Sequence, residues 1–181
     1  RSSGCDCVQV FTKNNNQWKA STLTAAAAMS FKAKRKEMNF TIPIMAHNSY
    51  LINLASPKPE VFEKSLIDMA EELKRAENLG LDFLVMHPGA HLGTGEQMAF
   101  KKIAQSLDQI LREVAPRQSM ILLEVTAGQG TNVGYRFEHM AEIINRMTSP
   151  EKVGVCLDTC HVFAAGYDIS QRKGYESTWS E

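Results

Sequence analysis

The sequence lacks an excess of either charge, a long apolar run and the cysteine spacings of common metal-binding modules. Twenty basic residues balance twenty acidic ones among 181, so composition gives no electrostatic reason to expect binding to nucleic acid or membranes. No apolar run approaches the ~18 residues of a membrane span. No secretory signal is visible at the start, and no GxGxxG fingerprint follows the first strand. A nucleic-acid substrate would therefore require a local site.

Cysteine is scarce and unpromising as a metal ligand. The thiols are Cys5, Cys7, Cys156 and Cys160, and neither pair has the CxxC spacing of a zinc knuckle or a thioredoxin-like site. We expect reduced thiols buried on strands, which indicates a reducing compartment.

Four apolar, strand-like runs each end on a residue that binds metal ions in proteins. They end at His47, His87, Glu124 and Asp158, and each interval contains an amphipathic helical pattern. This alternation is typical of β-α units, whose parallel strands place their carboxyl ends on one face. A carboxylate that directly follows an apolar run is costly to bury unless it is paired or bound to metal. We therefore interpret these residues, with His161, as one metal site.

The chemistry of these ligands favours particular metals. Imidazole and carboxylate without thiolate indicate zinc, with manganese or iron as alternatives. Two further histidines are weaker candidates: His91 lies in a glycine-rich loop where solvation is sufficient explanation, and His139 on a helix suits a surface or packing residue.

The periodicity predicts an α/β fold with five strands and four or five helices. The predicted helices cover about 24–37, 60–79 with Gly80 as C-cap, 100–114 and 137–147, and a buried strand is expected within 7–12. The segment TCHVFAAGYD is interpreted as a loop and the C-terminus as polar. Because a closed (β/α)8 barrel needs eight strands and ~250 residues, we expect a partial (β/α)8 TIM barrel. About five of eight units would form one domain over residues 1–181, with a smaller open sheet as the alternative.

Two loop features have two interpretations each. Trp18 and Tyr50 are large aromatics in polar loops, where they stack on or wedge into nucleic acid, or pack against neighbouring loops. The glycines of HPG and TAGQG serve tight turns, or present N–H groups to phosphate.

At these residues the sequence resembles the endonuclease IV family of apurinic/apyrimidinic endonucleases. The matching segments, in family order, are FTKNNNQW, AHNSYLINLAS, HPGAHLGTG, LLEVTAGQGTNVGYRFEH and VGVCLDTCHVFAAGYD. The resemblance implies a xylose isomerase-like TIM barrel and a deoxyribonuclease IV-type hydrolase of base excision repair. Such an enzyme holds three zinc ions and cleaves double-stranded DNA on the 5′ side of an abasic site, leaving a 3′-hydroxyl.

The resemblance also implies roles for the candidate ligands. His47 and His87 match ligands of the first zinc, and Glu124 matches the catalytic carboxylate that bridges the first and second. Asp158 matches a ligand of the second zinc and His161 one of the third. The family has further ligands after DTCH and an opening strand before Arg1, so we expect a chain truncated at both ends. Only its first zinc would have all its protein ligands.

The DNA contacts implied by the resemblance are Asn16, Trp18, Tyr50 and Gln129. Asn16 stands where some relatives carry arginine, and Val125 stands where Asn or Thr is usual. We expect a cytoplasmic, nucleoid-associated protein, or a nuclear or mitochondrial one if the source is eukaryotic.

Two other functions remain alternatives at the level of sequence. One is a metal-dependent sugar isomerase or epimerase of the xylose isomerase type, which would need a second bridging carboxylate. The other is a non-catalytic fragment, weakly active or inactive. Exposed sheet edges would give such a fragment a route to self-association.

Overall fold

The computed structural model describes Cys5 and residues 7–180, and a five-stranded parallel sheet runs through it. The strands in chain order are β1 (Val8–Val10), β2 (Ile44–His47), β3 (Phe83–Met86), β4 (Gly89–Ala90), β5 (Met120–Glu124), β6 (Asn132–Val133) and β7 (Val153–Cys156). The sheet has the order β1-β2-β3-β5-β7, so each strand lies beside the strand of the preceding β-α unit. This order and parallel pairing confirm the predicted partial TIM barrel.

Helices alternate with these strands and cover one face of the sheet. They are α1 (Ala25–Glu37), α2 (Pro59–Leu79), α3 (Glu96–Val114), α4 (Phe137–Ile144), α5 (Thr159–Ala164) and α6 (Arg172–Thr178), with a 3-10 turn at Pro150–Lys152. Proline at the start of α2 suits the first helical turn, where no N–H partner is needed. Gly80 ends α2 in the left-handed conformation, at φ 67°, as the sequence predicts.

The core lies between the sheet and the two long helices. Its largest fully buried side chains are Leu54, Met69, Leu73, Leu81, Leu84, Met86, Phe100, Ile103, Leu107, Ile110, Ile121 and Leu123. Most come from the apolar stripes of α2 and α3 and from β3 and β5. The centre of the sheet is therefore held by dense apolar packing, which fixes where β2, β3 and β5 end.

Two local predictions are wrong, and the polar C-terminal segment has a helix that the sequence did not reveal. Residues 7–9, in and just before β1, are exposed rather than buried, because β1 is an edge strand that pairs only with β2 among the described residues. TCHVFAAGYD contains α5, because the Asp158 side chain accepts the backbone N–H of His161 and caps the helix. The polar C-terminal segment contains α6, whose Trp179 end stacks on Phe137, with ring centroids 6.1 Å apart.

The thiols are also more exposed than the sequence suggests. Cys5, Cys7 and Cys160 are exposed and Cys156 is half-buried, so the prediction of buried thiols is wrong. Cys7 precedes the edge strand and Cys160 lies on the first turn of the short α5, and neither place offers an apolar layer to cover it.

Two loops over the carboxyl end of the sheet are joined by β4 and β6, which the sequence did not reveal. These strands pair antiparallel, Gly89 opposite Val133 and Ala90 opposite Asn132. Within the described residues, the helices lack the length and hydropathy that a membrane crossing requires.

Candidate metal centre

The strand ends predicted to converge do so. His47 at the end of β2 places Nε2 2.9 Å from Glu124 Oε2, and His87 just after β3 places Nε2 3.1 Å from the same oxygen. One ligand atom from each of the three lies within 4.8 Å of the others. The first group, as we call His47, His87 and Glu124, thus forms where three adjacent parallel strands end.

A second group shares the same carboxylate. Glu124, Asp158 and His161 offer ligand atoms within 4.8 Å of one another. His161 Nδ1 lies 3.6 Å from Glu124 Oε1 and 3.0 Å from the carbonyl oxygen of Val125. The other four ligand residues predicted from the sequence therefore surround the Glu124 carboxylate.

The electrostatics of the first group favour an ionised Glu124. Burial raises the pKa of this carboxyl, but hydrogen bonds from His47 and His87 outweigh burial and lower its pKa to about 2. Burial has the opposite effect on His47 and lowers its pKa. The hydrogen bonds to Glu124 and to the Asn48 carbonyl oxygen raise that pKa, and the net shift is upward. Without a cation, the hydrogen bonds therefore favour the ionised form of Glu124 and the charged form of His47.

These residues fit a bound zinc ion. Two histidines and a carboxylate form a ligand set known for catalytic zinc, with one position left for water or substrate. His47 Nδ1 lies 2.8 Å from the Asn48 carbonyl oxygen, which turns Nε2 toward Glu124. Metal-binding histidines are usually oriented by such a contact from the other ring nitrogen.

The predicted DNA contacts lie in the loops around this centre. Asn16 and Gln129 are exposed. Tyr50 is 54% exposed, and its ring centroid lies 5.3 Å from that of His47 and 5.9 Å from that of His87. Trp18 is half-buried and packs against the hydrophobic core, which neither of the two interpretations left open for it had named.

The remaining candidates serve the loops. His139 is buried, and its Nδ1 accepts the backbone N–H of Gly134, as a packing residue does. His91 Nδ1 accepts the N–H groups of Gly93 and Gly95, so it is bonded within its loop rather than merely solvated.

The glycine of HPG meets a steric need. Gly89 has φ 131°, and a Cβ there would lie 2.5 Å from Asn53 Oδ1. That oxygen accepts the backbone N–H groups of Ala55 and Ala90, which ties the loop after β2 to the loop after β3. The close approach explains this glycine without a phosphate.

Sequence reasoning missed three buried charges on and near α2: Lys13, Asp68 and Glu72. A signal for two of them exists. Asp68 and Glu72 are four residues apart and lie on the buried side of α2 together with Ser65 and Ala76. Charged residues on the apolar side of an amphipathic helix indicate buried pairing.

The fold, with a carboxylate shared by two ligand groups, first places the chain in a broad protein family. A profile of the xylose isomerase-like TIM barrel family matches residues 1–178, and the chain belongs to that family. Several sugar epimerases have the same fold; the chain superimposes on a D-tagatose 3-epimerase-like protein with a TM-score of 0.70 at 18% identity, over 90% of this chain and 59% of that one. That likeness shows the fold alone.

The particular likeness is to endonuclease IV, which confirms the resemblance drawn from the motifs. Proteins named probable endonuclease 4 from Citrifermentans bemidjiense and Chloroflexus aurantiacus are 47% and 44% identical over 180 residues, 99% of this chain. The crystal structure of endonuclease IV from Thermus thermophilus superimposes with a TM-score of 0.81 at 34% identity, over 95% of this chain and 60% of that one. The chain spans 63% of the length of both curated relatives.

Proposed function

We propose that this chain carries the first part of a zinc-dependent endonuclease of base excision repair. The substrate is double-stranded DNA with an abasic site, and the product is a nick on the 5′ side of that site with a 3′-hydroxyl. The protein acts in the cytoplasm at the nucleoid, or in the nucleus or mitochondrion of a eukaryote. The relatives named endonuclease 4 support the reaction class.

One observation carries the proposal: three adjacent strands bring His47, His87 and Glu124 within ligand distance of one another. This set would hold the first zinc, and Glu124 with Asp158 and His161 would supply part of the remaining metal shell. Zinc bound there would polarise a phosphate and lower the pKa of a bound water toward ~7.

The chain's own residues provide charge and position. Glu124, with its pKa of about 2, stays ionised at neutral pH and orients the attacking water through an acceptor oxygen. His47, held by the Asn48 carbonyl, keeps Nε2 directed at the same point. The side chains of Glu124 and His47 are both buried, so packing holds them in place before the substrate binds.

Recognition of the lesion falls to the surrounding loops. Tyr50 stands exposed beside His47 and His87, where an aromatic ring replaces stacking that an abasic duplex has lost. Asn16 and Gln129 contact the backbone, and Trp18 supports the loop that carries Asn16. An abasic nucleotide has no base to unstack, so extruding it is cheap and selective.

We further propose that the chain associates with itself through its sheet edges. In the described residues, β1 and β7 each have one neighbouring strand. Phe11 and Leu157, which follow these edge strands, are both more than 40% exposed. Sedimentation velocity over a wide range of chain concentrations tests this point. A chain that stays monomeric at every concentration contradicts it.

The function is tested with a duplex that contains one tetrahydrofuran abasic analogue. We expect the 181-residue chain, supplied with zinc, to bind this duplex in preference to an undamaged one. We expect slow cleavage on the 5′ side, with an end that a DNA polymerase extends. Equal affinity for both duplexes together with no zinc uptake would refute the proposal, and isomerisation of a monosaccharide would support the epimerase alternative.

A further inference from the structure

Three charged side chains are buried behind the metal centre, outside both ligand groups. The side chains of Lys13, Asp68 and Glu72 are 3%, 9% and 1% exposed. Lys13 Nζ lies 2.6 Å from Asp68 Oδ2 and 3.8 Å from Glu72 Oε1. We call these three residues the buried triad. Two of them lie one turn apart on α2, and Lys13 comes from the loop after β1.

The triad binds the backbone of the two loops that carry Trp18 and Tyr50. The Trp18 loop (residues 11–24) follows β1, and Lys13 Nζ donates to its carbonyl oxygens at Gln17 and Trp18, 3.1 and 3.2 Å away. The Tyr50 loop (residues 48–58) follows β2, and Glu72 Oε1 accepts the backbone N–H of Ser49 at 2.7 Å. Each loop is therefore anchored to α2 through an ionisable side chain, and burial raises the pKa of the Glu72 carboxyl to about 7.

The two loops are also bonded to each other. The carbonyl oxygen of Asn15 accepts the backbone N–H of Tyr50 at 3.1 Å and the hydroxyl of Ser49 at 2.9 Å. Asn15 lies between Lys13 and Trp18, and Ser49 is the residue that Glu72 holds. The Trp18 loop, the Tyr50 loop and α2 thus form one hydrogen-bonded unit.

Stability alone does not explain the triad. Buried ion pairs are often no more stable than well-packed apolar side chains of similar volume, because desolvation offsets the attraction. Within the described residues, Glu72 Oε2 is the buried side-chain oxygen that has no hydrogen-bond partner, so desolvation of this carboxyl is only partly compensated. Unlike an apolar cluster, the triad forms hydrogen bonds with three backbone groups, and these bonds fix the orientation of the groups.

We propose that Lys13, Asp68 and Glu72 are positioning residues for DNA recognition: they hold Trp18 and Tyr50 in one fixed arrangement. This inference rests on the proposed function. None of the three reaches solvent enough to touch DNA, so their effect is transmitted through the two loops. Removing the triad weakens binding of abasic DNA even where the fold and the first zinc group are intact.

A loop readout that needs no DNA tests the positioning directly. In a Trp179→Phe background, Trp18 is the remaining tryptophan and its fluorescence reports the Trp18 loop. The double variant Lys13→Met/Asp68→Leu removes the closest ion pair of the triad. The Glu72 carboxyl that remains has a pKa that burial raises to about 7, so it can take up a proton instead of staying an unpaired buried charge. We expect a red-shifted emission and stronger acrylamide quenching. Unchanged emission in a folded double variant would overturn the proposal.

Glu72 permits a matched pair of variants. Glu72→Gln keeps an oxygen that accepts the Ser49 N–H, whereas Glu72→Leu keeps the volume and loses the acceptor. By fluorescence anisotropy with the tetrahydrofuran duplex, we expect Glu72→Gln to bind like the parent chain and Glu72→Leu and the double variant to bind about 10-fold more weakly, the equivalent of one buried hydrogen bond. Equal affinity of Leu and Gln variants would overturn the proposal.

Two measurements separate positioning from general damage and from failure of the proposed function. Zinc content and urea midpoint are compared with Lys74→Met, a control on the exposed side of α2 whose ammonium pairs with Glu71 and Glu113. If DNA affinity of Glu72→Leu falls only in step with its zinc content, the positioning role is refuted. If the parent chain does not distinguish abasic DNA, the proposed function fails, while the Trp18 emission still decides whether the triad positions the loop.

Discussion

The two ligand groups share Glu124 but differ in how the chain supports them. In the first group, His47 and Glu124 are buried at the ends of central strands, and only the His87 side chain, 37% exposed, opens to solvent. In the second group, Asp158 follows the edge strand β7 and His161 lies on the six-residue helix α5. The His161 side chain is 28% exposed.

The difference shows where preorganisation comes from. The first group inherits its geometry from a packed sheet, because β2, β3 and β5 are flanked on both sides by parallel neighbours. The second group depends on one strand pairing and one short helix, and both are local structures that open easily. The first group should therefore bind metal with an almost preformed geometry, and the second should gain order when metal binds.

The largest effect is expected at the shared residue. Glu124→Gln removes the negative charge from both groups, so zinc affinity should fall at least ~100-fold at each, above the loss typical for groups that only support a ligand. Cleavage of an abasic duplex should be abolished with the fold intact. Isothermal titration with zinc and a gel assay measure both effects, with the exposed Glu138→Gln as control. Parental turnover by Glu124→Gln would exclude the role assigned to this carboxylate.

A smaller contrast separates the groups from each other. His47→Ala should weaken the tightest zinc site ~100-fold, whereas His161→Ala should leave that site within a few-fold and weaken only later zinc uptake ~10-fold. Competition with a chromogenic chelator resolves the successive sites. His91→Ala, outside both groups, should change neither. If both ligand variants weaken the same site equally, the division into two groups is wrong.

The metal-free chain should show the charge pairing of the first group as a pH profile. Glu124 has a pKa of about 2 instead of 4.5, so its contribution is complete above pH 4.5 and is lost as pH falls toward 2. The raised pKa of His47 gives a contribution that is complete below pH 6.5 and is lost at higher pH. The contribution of these two groups to stability in EDTA should therefore be largest between about pH 4.5 and 6.5.

The size of that peak is bounded by the shift at Glu124. Each pKa unit corresponds to about 1.4 kcal/mol, so the gain is at most about 3 kcal/mol. Urea unfolding across the acidic and neutral range measures it, and Glu124→Gln should flatten the profile where Glu138→Gln does not. A profile that keeps rising above pH 6.5 in EDTA would contradict the pairing.

Thiol reactivity should report access to the second group. Burial, then the nearby charges of Glu124 and Asp158, raise the pKa of Cys156 to about 11, while Cys160 is exposed on α5. In a chain with Cys5→Ser and Cys7→Ser, Ellman's reagent at about pH 8 should modify Cys160 about 100-fold faster than Cys156. Single Cys156→Ser and Cys160→Ser variants assign the two phases. Equal rates would mean that the end of β7 opens as readily as α5.

The sequence predicted the sheet and the ligands because their signals are local and repeated. An apolar run that ends on a ligand says where a strand stops, and parallel topology brings such ends together without any knowledge of side-chain packing. His47, His87 and Glu124 follow from this rule. Their mutual distances also agree with it, since the other four predicted ligand residues gather around Glu124.

The remaining features depend on contacts between distant segments. Nothing in the sequence around Lys13 shows that it is buried against α2, because its partner Asp68 is 55 residues away. The helix α5 was missed because its cap, Asp158, was interpreted only as a ligand. The pairing of β4 with β6 involves two residues on each side, which is too short for a periodic pattern.

Asp158 caps α5, and under the proposed function it also binds metal, so the two roles would be thermodynamically linked. Its Oδ1 accepts the N–H of His161 at 3.0 Å and so starts the helix that holds the His161 ring near Glu124. A cation that draws on the Asp158 carboxylate and the His161 imidazole together favours the wound form of this turn. By reciprocity, a substitution that raises helix propensity at an exposed position of α5 raises the affinity for the cation without contacting it. Phe163→Ala is such a substitution.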